Sequence, residues 1–283
     1  MKRAAIDIGS NSIRLASSDG ETASVITQLA AGIEKSGALS PAGIEKSLDA
    51  LKSFAARTRD CSEVYAFATE AVRRAADGES FCKRVKRETG LTVTVLSGEA
   101  EAYLALAGCT KPNGPITVCD LGGGSMELVS SADGKKPDYV KSLPLGVVVL
   151  KNMFCGDYAR ATETLPRLME EYGEVQDYPL VITGGSACAI AAAMLDLDVY
   201  DKKKVSTEFS SRDLDDFMPM FLSPKLPVFR PLTAKRADTL PYGALAIRAL
   251  LCKLGAKKFY VSDASNLEAV LSMPSEELKK LFL

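Results

Sequence analysis

Residues 7–18 read DIGSNSIRLASS and residues 120–131 read DLGGGSMELVSS. At a constant offset of 113, six of the twelve positions are identical: Asp7/Asp120, Gly9/Gly122, Ser12/Ser125, Leu15/Leu128, Ser17/Ser130 and Ser18/Ser131. Each copy follows a short apolar run, AAI before Asp7 and ITVC before Asp120, and each runs on into Asp-Gly at 19–20 and 133–134. The pattern is a buried strand ending in Asp, a tight turn of small polar residues, then a segment alternating at period two, such as Ser12-Ile13-Arg14-Leu15-Ala16. Alternation of that period marks a second strand and therefore a β-hairpin. A Walker or Rossmann phosphate loop would open a helix instead, and the Gly-Lys-Ser/Thr of Walker A is missing after these turns. A hairpin repeated in this way predicts two related lobes.

The composition of the turns predicts what they hold. Gly9-Ser10-Asn11-Ser12 and Gly122-Gly123-Gly124-Ser125 lack bulky side chains, so successive backbone N–H groups can line a concave anion site, with the hydroxyls of Ser10, Ser12 and Ser125 as further donors. Thr183-Gly184-Gly185-Ser186 is a third strand–glycine–helix junction, and its helix amides suit an anion or a nucleotide. Asp7, Asp120 and Glu127 stand beside these turns. A carboxylate there repels a polyanion unless a cation lies between them, and hard oxygen ligands together with substrate phosphates are the usual setting of Mg²⁺. Glu127 faces Arg14 in the alignment of the two copies, so the duplication has diverged at that position.

Between and after the hairpins, strands alternate with helices. Ser40-Pro41 opens an amphipathic helix of roughly 41–59, Val64–Ala68 is a strand, a helix from about 77 to 89 ends at Gly90, and Leu91–Leu96 is a strand. Ser97 is the N-cap of a helix over 98–107. Its Glu99 and Glu101 are two residues apart, about 200° around a helix, and cannot share a face. Helices follow near 144–154 and 158–172, then strand Leu180–Thr183, a helix from Ser186, a helix over 243–254, strand Phe259–Ser262 and a short helix from Pro274. This is an α/β protein of two lobes with a cleft between them. The expected division is 1–108 and 109–283, with the turn cluster Lys111-Pro112-Asn113-Gly114-Pro115 near the boundary.

Composition narrows the chemistry. The 283 residues suit two domains of average size, and 35 basic against 36 acidic residues give a net charge of −1. That balance argues against a nucleic-acid polymer or an anionic membrane as partner. There is no histidine, which excludes Ser-His-Asp and Cys-His triads and His-ligated zinc. The seven cysteines are scattered without paired spacing and are expected to be reduced core residues of a cytoplasmic protein. Asp7 interrupts the only apolar stretch near the start, and no run approaches the roughly 20 apolar residues of a membrane span.

Seven stretches together resemble the exopolyphosphatase and guanosine pentaphosphate phosphohydrolase family (Ppx/GppA). They are AAIDIGSNSIRLA (4–16), ATEAVRRAADG (68–78), LSGEAEAYLA (96–105), VCDLGGGSMELV (118–129), SLPLGVVVL (142–150), ITGGSA (182–187) and KRADTLPYGALAI (235–247). The resemblance implies the two-lobed fold of actin, Hsp70 and sugar kinases (ribonuclease H-like), in the short form without a C-terminal His-Asp domain. It implies a Mg²⁺-dependent phosphoanhydride hydrolase that releases terminal phosphate from inorganic polyphosphate or from pppGpp to give ppGpp, with polyphosphate or guanosine penta- or tetraphosphate as its partner. By its motifs, the Glu that activates the attacking water falls on Glu101, and the Arg thought to face phosphate falls on Arg73. The loop acids fall on Asp7, Asp120 and Glu127, and the loops on Gly9–Ser12, Gly122–Ser125 and Gly184-Gly185. The chain departs from the family pattern at Tyr103, where Arg is usual, and at Ser262-Asp263-Ala264-Ser265-Asn266-Leu267-Glu268-Ala269, which lacks a Gly and an Arg. A sensor that binds polyphosphate or (p)ppGpp without turnover, and an actin-like ATPase or sugar kinase, stay open as alternatives, as does the oligomeric state, a homodimer included.

Overall fold

The computed structural model describes residues 2–109, 114–223 and 236–282. The chain divides into two compact units, Met1–Gly108 together with Ser265–Leu283, and Cys109–Ala264.

In the first unit, β1 (Arg3–Ile8), β2 (Ser12–Ser17) and β3 (Thr22–Ile26) form an antiparallel meander. A crossover through α1 (Ile33–Ser36) and α2 (Pro41–Arg57) returns the chain to β4 (Glu63–Ala68), parallel to β1. Helices α3 (Glu70–Arg74) and α4 (Gly78–Thr89) lead to β5 (Val93–Val95), and the sheet order is β3-β2-β1-β4-β5. Helix α5 (Gly98–Gly108) completes this part. Local sequence explains the elements. Central β1 lies between two neighbours and is buried from Ala4 to Ile8, as a strand covered on both faces must be. Helix α2 starts where Ser40 Oγ accepts the Gly43 amide at 3.2 Å with Pro41 in the first turn, and it buries Leu48, Leu51 and Phe54. Helix α4 stops at Gly90, whose φ of 78° a side chain would resist.

The second unit repeats the opening motif. Strands β6 (Ile116–Leu121), β7 (Met126–Ser131) and β8 (Tyr139–Leu143) form a meander, followed by α6 (Val147–Phe154), α7 (Tyr158–Met169) and a 3₁₀ turn at Glu170–Tyr172. Strand β9 (Leu180–Thr183) pairs parallel to β6, and α8 (Gly185–Met194) and α9 (Lys202–Val205) follow. Next come β10 (Glu208–Ser210), α10 (Ser211–Phe221), α11 (Leu240–Leu254) and β11 (Lys258–Val261), giving the order β10-β11-β9-β6-β7-β8. Helix α11 is buried along most of its length and packs with α7, α8 and α10 in the unit's core.

The last helices, α12 (Asn266–Ser272) and α13 (Ser275–Phe282), group with the first unit. The boundary after residue 108 therefore matches the sequence division, whereas 265–283 does not belong with 109–264. The physical reason is a set of contacts remote in sequence. Arg3 donates to the carbonyls of Val270 at 3.0 Å and Met273 at 2.5 Å and to Ser275 Oγ at 2.7 Å, and Phe282 packs edge-on against Tyr65 and Phe67 with ring centroids 5.1 and 5.8 Å apart. A cation on the last carbonyls of α12 is well placed for the helix dipole.

Smaller differences have local causes. The strand expected over 91–96 forms only at Val93–Val95, the helix expected from 144 begins at Val147 after Pro144, and the helix expected from 243 begins at Leu240 because Pro241 is tolerated in a first turn. Lys111, Pro112 and Asn113 of the turn cluster and Lys235 lie outside the described residues. None of the seven cysteines is in a disulfide, and burial pushes the Cys109 thiol up to about 12 and Cys119 well above its ordinary value. Among the described residues no helix is long and apolar enough to cross a membrane.

The tightest backbone approach in the first unit is at Gly78, where a Cβ would stand 2.0 Å from the carbonyl oxygen of Val72. Gly78→Ala is expected to lower folding stability by about 1–3 kcal/mol, the scale of overpacking; a urea unfolding midpoint equal to that of the parent chain would contradict this packing.

Candidate functional site

In both units the singled-out motifs follow the carboxyl ends of parallel strands. In the first unit, Gly9 follows β1, Thr69 to Arg73 follow β4, and Leu96 to Glu101 follow β5. The Thr69 amide bonds Ile8 O at 3.3 Å and the Leu96 amide bonds Ala68 O at 2.9 Å, so the three junctions stand side by side. In the second unit, Gly122 follows β6, Gly184 follows β9 and Ser262 follows β11. Open α/β sheets bind ligands at this edge.

The two glycine turns share one geometry. Asp7 pairs with Arg14 and Asp120 with Glu127 across their hairpins, and the Gly9 and Gly122 amides each close the turn on Ser12 O and Ser125 O at 3.1 Å. Backbone carbonyls of the turns point backwards. In the second unit, Gly122 O accepts Val147 N at 3.0 Å, Gly123 O accepts Val148 N at 2.8 Å and Gly124 O accepts Gly146 N at 3.3 Å, so the N-terminus of α6 sits on the turn. In the first, Ser10 O accepts Ala30 N at 2.9 Å, and Asn11 O accepts Thr27 N and Gln28 N at 3.0 Å. No cis peptide occurs among the described residues, and in a planar trans peptide the N–H is directed opposite to the C=O. The amides of Gly123, Gly124 and Ser125, and those of Asn11 and Ser12, are thereby turned away from the segments behind them. Consecutive amides turned to one side are an anion cradle. Gly146 makes the approach possible, since a Cβ there would lie 2.4 Å from the Gly123 carbonyl carbon.

Around the cradles the charges differ. Asp7 is buried at 4% exposure; its Oδ2 takes Arg14 Nη2 at 2.5 Å and Nε at 3.2 Å, while its Oδ1 has no hydrogen-bond partner. Glu127 is buried and accepts Ser142 Oγ at 2.7 Å. Gly184 has a φ of 102°, and a Cβ there would meet Leu121 O at 2.6 Å and Asp120 Oδ1 at 2.9 Å. The third turn thus packs directly on the Asp120 carboxylate. A Cβ on Gly185 would lie 2.6 Å from Arg236 Nη2. Arg236 is the residue that sequence reasoning did not single out; its signal was its place in the stretch 235–247.

Glu101 and Arg73 come together in the first unit. Arg73 Nη1 donates to Glu101 Oε2 and to Leu96 O, each at 2.5 Å, and Nη2 donates to Glu70 Oε2 at 2.5 Å. Burial works against the charge of Arg73, but Glu101 and Glu70 outweigh it and hold the guanidinium above its ordinary pKa. Glu101 is buried at 4% exposure while Glu99 is exposed, as their spacing on one helix requires. Tyr103 donates its hydroxyl to Glu277, and burial with that carboxylate pushes its pKa up to about 12.

The residues fit a hard divalent cation in their donor chemistry. In the second unit Asp120 and Glu127 lie opposite each other in register, and in the first unit, taken by itself, Asp7 has a buried oxygen without a hydrogen-bond partner. Among the described residues no three His, Cys, Asp or Glu side chains form a group able to hold a metal, yet Mg²⁺ takes only one or two carboxylates together with water and phosphate.

The Ppx/GppA phosphatase family model matches residues 21–273. The chain belongs to that family. A solved Ppx/GppA family member from Aquifex aeolicus is 32% identical, with 99% of this chain and 98% of its own covered and a TM-score of 0.80. An exopolyphosphatase from Cytophaga hutchinsonii is 20% identical with a TM-score of 0.82 over 99% of each chain, a likeness of fold. Exopolyphosphatase 1 of Mycobacterium tuberculosis is 33% identical over 161 residues, which make up 52% of this chain and 46% of that protein. The Ppx/GppA chain described here spans about half the length of the curated relatives it matches.

The Asp7–Arg14 pair is testable in isolation. Arg14→Gln leaves a buried carboxylate without its cation and is expected to cost about 1–3 kcal/mol of stability, of which adding Asp7→Asn restores a part. Urea unfolding of the two single variants and the double variant measures this, and strictly additive losses would show that the pair is not coupled.

Proposed function

We propose that this Ppx/GppA protein is a Mg²⁺-dependent phosphoanhydride hydrolase that releases the terminal phosphate of inorganic polyphosphate or of pppGpp. The observation that carries this reading is the backbone of the two glycine turns, where the carbonyls of Ser10, Asn11 and Gly122 to Gly124 are held from behind so that the amides that follow them can cradle an anion. The names of the curated relatives support the same reading, since exopolyphosphatases recur among them.

The residues divide the work as follows. Amides of Asn11, Ser12, Gly123, Gly124 and Ser125, with the Gly184-Gly185 turn, hold phosphate oxygens. Asp120, Glu127 and Asp7 are the residues that would hold Mg²⁺, which when bound would neutralise phosphate charge. Glu101 takes a proton from water as its oxygen attacks the terminal phosphorus in line, and orthophosphate and a chain shorter by one phosphate leave. Amides already fixed by the fold stabilise the charge that develops on the transferring group without reorganising.

Phosphate release by the purified full chain from polyphosphate, pppGpp and ATP, with and without Mg²⁺, tests the reading. Release from polyphosphate or pppGpp that stops on chelation is expected. Binding without any turnover would make the protein a sensor, and release from ATP alone would make it an ATPase; either result overturns the proposal. Glu101→Gln is expected to lower turnover by at least about a hundredfold, the usual scale of a lost general base, with polyphosphate binding retained in calorimetry.

A further inference from the structure

The environment of Arg73 points to a different task from gripping phosphate. Nη1 of a guanidinium carries two protons, and here Leu96 O and Glu101 Oε2 take both at 2.5 Å. Nη2 is drawn to Glu70 Oε2 at 2.5 Å. The Glu70 carboxylate is itself mostly buried, with 14% of its side chain exposed, and its other oxygen lies 4.0 Å from Arg74, whose Nη2 is held by Glu34 at 2.6 Å. With both protons of Nη1 taken, that nitrogen has no donor left for an incoming phosphate. A carboxylate paired to a guanidinium that two other groups also hold is, by contrast, kept in one orientation.

We infer that Glu70 and Arg73 are positioning residues that act through Glu101. Glu70 and the Leu96 carbonyl fix Arg73, and Arg73 aims the Glu101 carboxylate at the proton it accepts. Glu70 stands at the start of α3 and Glu101 in the first turn of α5, so the network links the junctions that follow β4 and β5. The inference rests on the hydrolase reading, in which Glu101 is the base.

Steady-state kinetics of the full chain on polyphosphate with Mg²⁺ test it, using Glu70→Gln, Arg73→Lys, Arg73→Met and Glu101→Gln. Glu70→Gln is expected to lower kcat about tenfold and Arg73→Met about a hundredfold, the scale of a misaligned reacting group, with KM within about twofold of the parent. Arg73→Lys, which keeps the charge in nearly the same volume, recovers part of the loss and keeps the test open should Arg73→Met fold poorly. The deciding measurement is Glu70→Gln placed in the Glu101→Gln background, where no further fall in kcat is expected because the residue acts only through Glu101. A KM raised tenfold or more in the Arg73 variants at unchanged kcat would make Arg73 a phosphate clamp and overturn the inference alone. An equal fall in kcat in both backgrounds would do the same. A parent chain that releases no phosphate from any substrate defeats the hydrolase reading, and this inference with it.

Discussion

The site depends on carbonyl groups being held from behind. A turn of glycine and serine has no conformation of its own, and its amides would sample many directions if its carbonyls were solvated. In this chain the amides of Gly146, Val147 and Val148 fasten one turn, and those of Thr27, Gln28 and Ala30 fasten the other. Peptide planarity then fixes where the N–H groups point. The glycines serve closeness here more than backbone freedom. Gly9, Gly122 and Gly146 do not adopt left-handed φ, yet a Cβ on any of them would lie within about 3 Å of backbone atoms. Gly184 is the exception, needing both its φ of 102° and the space beside Asp120.

The hairpins were legible in the sequence because their signals are local. Small residues at fixed positions mark the turn, period two marks the strands, and an offset of 113 marks the duplication. Caps were legible for the same reason at Ser40, Ser97 and Gly90. The return of the chain to the first unit was not, since it rests on Arg3 bonding carbonyls more than 260 residues away. The segment after Ser262 shows the same limit. Its departure from the family pattern reads as a loss, but Ser265 and Glu268 form a capping box, with the Leu267 amide on Ser265 Oγ at 3.3 Å and the Ser265 amide on Glu268 Oε2 at 3.0 Å. The serine that replaces glycine there starts α12.

Charged partners were the least legible feature. Helical geometry separates Glu99 from Glu101 on sequence grounds alone, and the structure leaves Glu99 exposed and Glu101 buried. No pattern, however, pairs Glu101 with Arg73 across 28 positions, because the pairing arises only when β4 and β5 lie side by side and their following helices start together. Arg236 at Gly185 is the same kind of contact, between a turn and a helix approach 51 positions later. Motif resemblance located both arginines in the chain and implied phosphate beside Arg73, but not the carboxylates that hold it.

Divergence between the copies explains why a duplicated hairpin serves as two different instruments. Backbone register is the same in both, Asp7 opposite Arg14 and Asp120 opposite Glu127. When ionised, the first pair is neutral and the second carries two negative charges. An aspartate opposite Arg and an aspartate opposite Glu therefore sit in different charge settings at the same backbone position. The unpartnered Oδ1 of Asp7 moderates that contrast, since one of its oxygens still lacks a donor. A single exchange of Arg for Glu at one strand position therefore changes the charge beside one turn and not the other. The fold keeps the backbone turn common to both, and the side chain facing the aspartate sets the charge beside it.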